Sequence, residues 1–209
     1  HSNLVITKVL RSAIEAAGID PNVLQLIEAT DHETTNRFMQ MNEYVDVLIP
    51  RGSHRLIQAV VRNASVPVIE TGAGNCHIFL DASADVAKAV PIVFNAKTQR
   101  IGVCNACESL VVDERVLSTV LVPVIRKLQE MQVEAYCDAP SYAAVQAAAA
   151  AGEGIDMRLV HAATDEDFMT EYLDYKISVK TVYSVAEAIS HINRCSTGHS
   201  ESIITEDAA

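Results

Sequence analysis

From residue 2 to residue 17 the apolar positions fall three and four apart, and Leu4, Val5, Val9, Leu10, Ile14 and Ala17 line one stripe of a helix. Gly18 suits the position just past its end, and Asp20-Pro21 suits a turn. Short apolar runs then read as strands at 23–27, 44–49 and 66–69. Between them, Asp31 caps a polar helix to about residue 41, and Ser53 caps a second helix to about residue 63. Helices alternating with short strands in this way predict a doubly wound, parallel α/β sheet.

The rhythm continues with strands at 76–80, 109–113, 133–136, 157–161 and 202–205. The 174–182 segment alternates apolar and polar residues. Asp81 to Asp85 offers caps for a helix over 86–97, and Pro91 inside it predicts either a kink or a later start. A helix over 114–131 is interrupted or kinked at Pro123. An alanine-rich one over 141–151 stops at Gly152, and an amphipathic one over 184–194 is capped by Ser184. There is no internal repeat. The composition shifts near Asp81-Ala82, which divides the chain into segments 1–81 and 82–209.

Charge and composition narrow the function. A net charge of −11 with no basic run argues against nucleic acid. No apolar run approaches the roughly 18 residues of a membrane span, so no membrane partner is expected. Five cysteines, an odd number, do not suggest a disulfide framework and favour a reducing cytoplasm. The chain opens on His1 with no Met, which reads as an internal segment of a longer protein.

The densest chemistry lies at 95–108, N-A-K-T-Q-R-I-G-V-C-N-A-C-E, just ahead of an apolar strand. A thiol there, with Lys97 and Arg100 upstream, stands where a lowered thiol pKa is useful. Gly102 would let the backbone approach a ligand or take a conformation closed to other residues. The same residues also read as a polar loop bearing a CxxC, a redox pair or half a zinc site with Cys195 and His199, although no second knuckle accompanies it. Arg51-Gly52-Ser53, at a strand end feeding a helix, suits an anion or forms an ordinary capped turn. His77 reads as a satisfied core histidine, and Cys76, Cys137 and Cys195 as small buried hydrophobes.

Several runs coincide with one family. Val45-Asp-Val-Leu-Ile-Pro-Arg-Gly-Ser53, Pro67-Val-Ile-Glu-Thr-Gly-Ala-Gly-Asn-Cys-His77, Asn95-Ala-Lys-Thr-Gln-Arg100 and Val103-Cys-Asn-Ala106 resemble the γ-glutamyl phosphate reductases. So do His191-Ile-Asn-Arg194, Gly198-His-Ser-Glu201 and Thr205-Glu-Asp207, in order and across essentially the whole chain. The resemblance implies an aldehyde-dehydrogenase-like fold, with part of a dinucleotide-binding domain in 1–81 and a catalytic domain in 82–209. It implies reduction of L-glutamyl 5-phosphate by NADPH to glutamate 5-semialdehyde, in proline biosynthesis, with no metal. A module fused to a glutamate kinase fits the same residues, and a non-catalytic CxxC redox or metal-binding protein is the reading from another class. A homo-oligomer when full length, and channelling from a glutamate 5-kinase, are further implications. The first third of such an enzyme and its C-terminal arm would lie outside this chain, and with them an asparagine of the oxyanion site.

Residue by residue, the resemblance makes Cys104 the nucleophile that forms a thioester and puts Cys107 at a variable position. Glu70 is similar to the carboxylate with which aldehyde dehydrogenases activate thiol or water, and an ionised residue at a strand mouth is the competing reading. Arg51, Gly52, Ser53 and Gly72 fall on the cofactor side. Asn95, Lys97, Gln99, Arg100, Asn105, His199 and Ser200 fall on the substrate side, Lys97 and Arg100 facing its carboxylate and phosphate. A solvated helix end competes for Lys97, and a capped turn for His199 and Ser200. Ile101-Gly102 replaces the family's usual Pro-Ser, a change expected to loosen the loop that aims the thiol.

Overall fold

Residues 2–52, 54–70 and 73–207 are described by a computed structural model, in which the chain divides into two units, His1–Thr71 and Gly72–Ala209. In the first unit, helix α1 (Ser2–Ala16) is followed by Gly18 at φ 78°, the left-handed stop its sequence predicts. Its apolar stripe stays in water: Leu4, Val5, Val9 and Leu10 are exposed, and the helix buries no residue. Asp31 caps helix α2 (His32–Phe38) by accepting from the Thr34 N–H at 2.6 Å. Helix α3 (His54–Asn63) packs on a small core of Met39, Leu48, Val60 and Val66.

The three strands expected in this unit do not form ladders. Residues 21–23 make a 3-10 turn, and 44–49 meets 66–69 only at a single parallel bridge, Leu48 to Val68. Two extended segments alone hold each other weakly. Val47, Ile49 and Ile69, which an apolar run marks as buried, remain exposed because nothing among the described residues of this unit covers those faces. The expected cap Ser53 lies outside the described residues.

The second unit is a six-stranded, wholly parallel sheet with order β4-β3-β5-β2-β1-β6. Its strands are β1 (Cys76–Leu80), β2 (Cys107–Asp113), β3 (Glu134–Cys137), β4 (Val160–Ala162), β5 (Lys176–Val182) and β6 (Glu201–Ile204). The helices are α4 (Val86–Thr98), α5 (Val122–Gln129), α6 (Ala139–Ala150) and α7 (Val185–Cys195). Ile78, Leu80, Leu110, Val112, Ile177 and Val179 face α4, α5 and α6, while Phe79, Val111 and Val182 face α7. Each such aliphatic side chain contributes roughly 1.5–3 kcal/mol by leaving water. β5 falls in the alternating segment, and its polar Ser178 and Thr181 are as buried as Ile177 because helices cover both sides. Their hydroxyls donate to Ser109 Oγ and Asp138 Oδ1, each at 2.8 Å.

Two prolines behave differently. α4 runs unbroken from its Asp85 cap through Pro91, so the later start does not occur. Ahead of Pro123 the chain winds as a 3-10 turn (Glu114–Val116) and then a π-helix (Leu117–Leu121) before α5 begins. Widening the turn there gives room to the proline ring, which would otherwise press on the carbonyl of the turn before it.

Candidate active site

Because β5, β2, β1 and β6 are neighbours and parallel, the segments that lead into them all emerge at one edge of the sheet. The register matches Cys76 with Cys107, His77 with Glu201 and Ser109 with Ser178. Residues distant in sequence therefore meet. The Gly74 N–H donates to Glu171 Oε1 at 2.7 Å, and the Asn75 N–H donates to Thr197 Oγ1 at 3.1 Å. Asn75 Nδ2, wholly buried, donates to the carbonyls of Phe168 and Cys195 at 3.0 and 2.9 Å. Cys76 Sγ donates to the Cys104 carbonyl at 3.2 Å.

This bracing surrounds one accessible thiol. All five cysteines are free, and Cys104 is exposed whereas Cys76, Cys107, Cys137 and Cys195 are buried. Burial pushes the Cys76 thiol up to about 11, with Glu201 adding to the effect, and pushes Cys107 and Cys137 up to about 12. At neutral pH those three are inert thiols. Cys107 Sγ lies 3.5 Å from the Ser109 carbonyl, in the core, so the two halves of the CxxC occupy opposite environments. Among the described residues, no three His, Cys, Asp or Glu side chains converge as metal ligands do.

Gly102 does not have the special backbone expected of it. Its φ is not positive, and a Cβ there meets nothing within 4 Å. Gly74 is the glycine the loop needs: a Cβ there would fall 1.7 Å from the Cys104 carbonyl oxygen and 2.7 Å from its Cα.

The other residues singled out by sequence divide sharply. Asn95, Gln99, Arg100 and Asn105 are exposed on the end of α4 and the Cys104 loop, and His199 and Ser200 are exposed just before β6. Lys97 is not available to an anionic substrate. It is completely buried, and its Nζ donates to Glu108 Oε2 at 2.8 Å, Glu108 being buried as well. Burial raises the Glu108 carboxyl while the Lys97 ammonium pulls it back. His77 is a core residue but not a fully satisfied one: Nδ1 lies 3.0 Å from the Asn75 carbonyl, and Nε2 has no partner. Glu70, Arg51 and Gly52 are exposed on the first unit, Gly52 with φ 154°. Ser53 and Gly72 lie outside the described residues.

Sequence reading passed over Gly74, Asn75, Glu108, Glu171 and Thr197. Signals for two of them were present. Gly-x-Gly-Asn leads straight into a strand, and Glu108 is a charge inside the apolar run of β2, where a buried partner is obligatory. Glu171 and Thr197 carry no local signal.

Residues 2–158 match the model of the aldehyde dehydrogenase family. The chain is 50% identical over 207 residues to the γ-glutamyl phosphate reductase of Lachnospira eligens, covering 99% of this chain and 47% of that protein. It shares the same identity and coverage with that of Agathobacter rectalis. The crystal structure of γ-glutamyl phosphate reductase from Thermotoga maritima superposes with a TM-score of 0.88 at 42% identity, over 99% of this chain and 47% of that one. The chain thus spans about half the length of the curated relatives it matches. With the family model covering most of its length and a parallel sheet that presents one exposed cysteine at its edge, the chain belongs to the aldehyde dehydrogenase family.

Proposed function

We propose that this chain is the nucleophile-bearing half of an NADPH-dependent reductase that converts L-glutamyl 5-phosphate to L-glutamate 5-semialdehyde and phosphate. The observation that carries the reading is the single exposed thiol, Cys104, on the braced loop of a chain about half identical to relatives of that name. An acyl phosphate is already activated, so the chain needs to supply an aimed sulfur more than a strong base. Cys104 Sγ attacks the acyl carbon, the C–O bond to phosphate breaks, and a thioester forms with release of phosphate. The nicotinamide, when bound, supplies the hydride that reduces this thioester. Collapse of the resulting hemithioacetal releases the aldehyde and returns the Cys104 thiolate.

Arg100, Asn105, Gln99, His199 and Ser200, all exposed at this edge of the sheet, supply donors for the substrate's carboxylate and phosphate. Asn95 flanks them on the last turns of α4. The groups that would hold the cofactor's phosphates are Arg51 and Gly52, just ahead of the positive end of the ten-residue helix α3. An exposed guanidinium beside a helix N-terminus has the donor chemistry that a pyrophosphate requires. Glu70 stands as a secondary base, needed less where hydride rather than water ends the acyl-enzyme. The full-length Cys104→Ser enzyme is expected to lose phosphate-dependent reduction of NADP+ with glutamate 5-semialdehyde, by at least about 1,000-fold. Activity retained within tenfold overturns the assignment.

A further inference from the structure

The buried Lys97–Glu108 pair sits at both ends of the segment that carries Cys104. Lys97 belongs to the last turn of α4, and Glu108 is the second residue of β2. Of the ten residues between them, 99–106 form the loop, with Cys104 exposed on it. Both charged side chains are essentially excluded from water, 0% and 1% exposed, and they meet at 2.8 Å. Two ions are expensive to bury, and an apolar pair of like volume would close the same space at no such cost. What the ion pair adds is direction: one short, charge-assisted bond fixes the distance between the end of α4 and the start of β2. On its other side the loop rests on Gly74 and receives the Cys76 thiol.

We propose that Lys97 and Glu108 are positioning residues that pin the Cys104 loop, so that the thiol is held at the position from which it attacks. This deepens the reductase reading and rests on it for the reaction, though not for the geometry. Neither residue touches substrate in this role. Their neighbours within the chain are the buried Cys107 and the backbone of Tyr172 and Leu173, on the segment leading into β5.

The test uses the full-length enzyme with three variants: Lys97→Met, Lys97→Met/Glu108→Leu and Lys97→Arg. Melting temperature, kcat, KM and the rate of Cys104 carbamidomethylation by iodoacetamide are measured for each. Lys97→Met leaves a buried carboxylate unpaired, and the double variant removes that penalty and restores folding if the single one fails. The expected result is a double variant that melts near the parent temperature, with kcat down by about tenfold or more and KM within about threefold. Its alkylation rate changes by at least about threefold, and Lys97→Arg recovers part of both losses. A double variant with parental melting, kcat and alkylation shows the pair to be merely structural and overturns the proposal. Alkylation needs no substrate, so it tests the pin separately. A parent enzyme without reductase activity would sink the reaction assigned above and leave the alkylation result to decide the pin.

Discussion

At Gly74 a single hydrogen atom stands where any other residue would put carbon against the Cys104 backbone. Unlike a turn glycine, it is constrained by contact rather than by φ, so the substitution cannot be absorbed by twisting its own backbone. Gly74→Ala is expected to push the loop off its seat and break the Cys76 to Cys104 hydrogen bond. A displacement near 1 Å costs about 100-fold in kcat, and that loss, measured beside an iodoacetamide time course, checks the contact. Activity within threefold of the parent would show that the loop does not use this seat. In sequence Cys104 was set apart from Cys107 only through the family resemblance, and the structure adds that Cys104 is exposed while Cys107 is buried. Gly74 was not legible there, since its need arises from a segment thirty residues away. Lys97 misled for a related reason: a lysine in a last helical turn reads as solvated until a carboxylate inside the next strand is recognised as its partner.

The elements behind the site hold a second set of groups, and these respond to acid. His77 on β1 and His191 on α7 are both buried, with ring centroids 6.0 Å apart and no hydrogen-bond partner at either Nε2. Burial pulls each imidazole down to about 4, and for His191 the neighbouring His77, Arg194 and Lys180 add to the effect while Asp138 opposes it. Glu201 lies 3.5 Å from His77 Nδ1, and its own carboxyl is raised by burial, so it does little to hold a proton on the ring. In the unfolded chain both histidines take up protons near 6.5, and in the folded chain they do not until about 4. The unfolded state therefore binds more protons across that window, and stability falls as pH drops from about 6.5 toward about 4. One such histidine accounts for a loss on the order of 3 kcal/mol over the whole window. Urea midpoints measured between pH 7 and 5, where ordinary carboxylates scarcely titrate and the raised Glu108 and Glu201 act in the opposite sense, should fall in the parent and fall less in His191→Gln. Equal slopes would assign the acid sensitivity elsewhere. The elements themselves were legible where they join a large core: every strand of the second unit lies within a few residues of its apolar run, the partly exposed edge strands β4 and β6 included. In the first unit the same patterns gave only the bridge at Leu48 and Val68, because an apolar run predicts burial and cannot supply the layer that buries it.

On the scale of the whole molecule, the two units have very unequal means of support. The second encloses leucines, valines and isoleucines from five strands and three helices in one continuous core, and its central sheet bonds are shielded on both faces. Among its described residues the first relies on five buried apolar side chains and one bridge, while α1 leaves its apolar stripe in water. Hydrophobic burial scales with area removed from water, so the free energy available to hold each unit closed differs by several-fold. Local opening follows local stability, and amide exchange reads it directly. In the 209-residue chain the amides of β1, β2 and β5 are expected to exchange last, by global unfolding, and those of α1 and α2 to exchange within minutes. Amides on α3 should fall between, through Ile57 and Val60, its two buried positions. Protection in α1 as long-lived as in β2 would show that the first unit draws stability from something other than its own core. The order matters for function, because Cys104 and the groups that brace it belong to the slow unit, whereas Arg51 and the start of α3 belong to the fast one. Such a chain keeps Cys104, the proposed nucleophile, in place while the turn at Arg51 opens, so Cys104 alkylation should proceed at one rate whether or not α3 is exchanging.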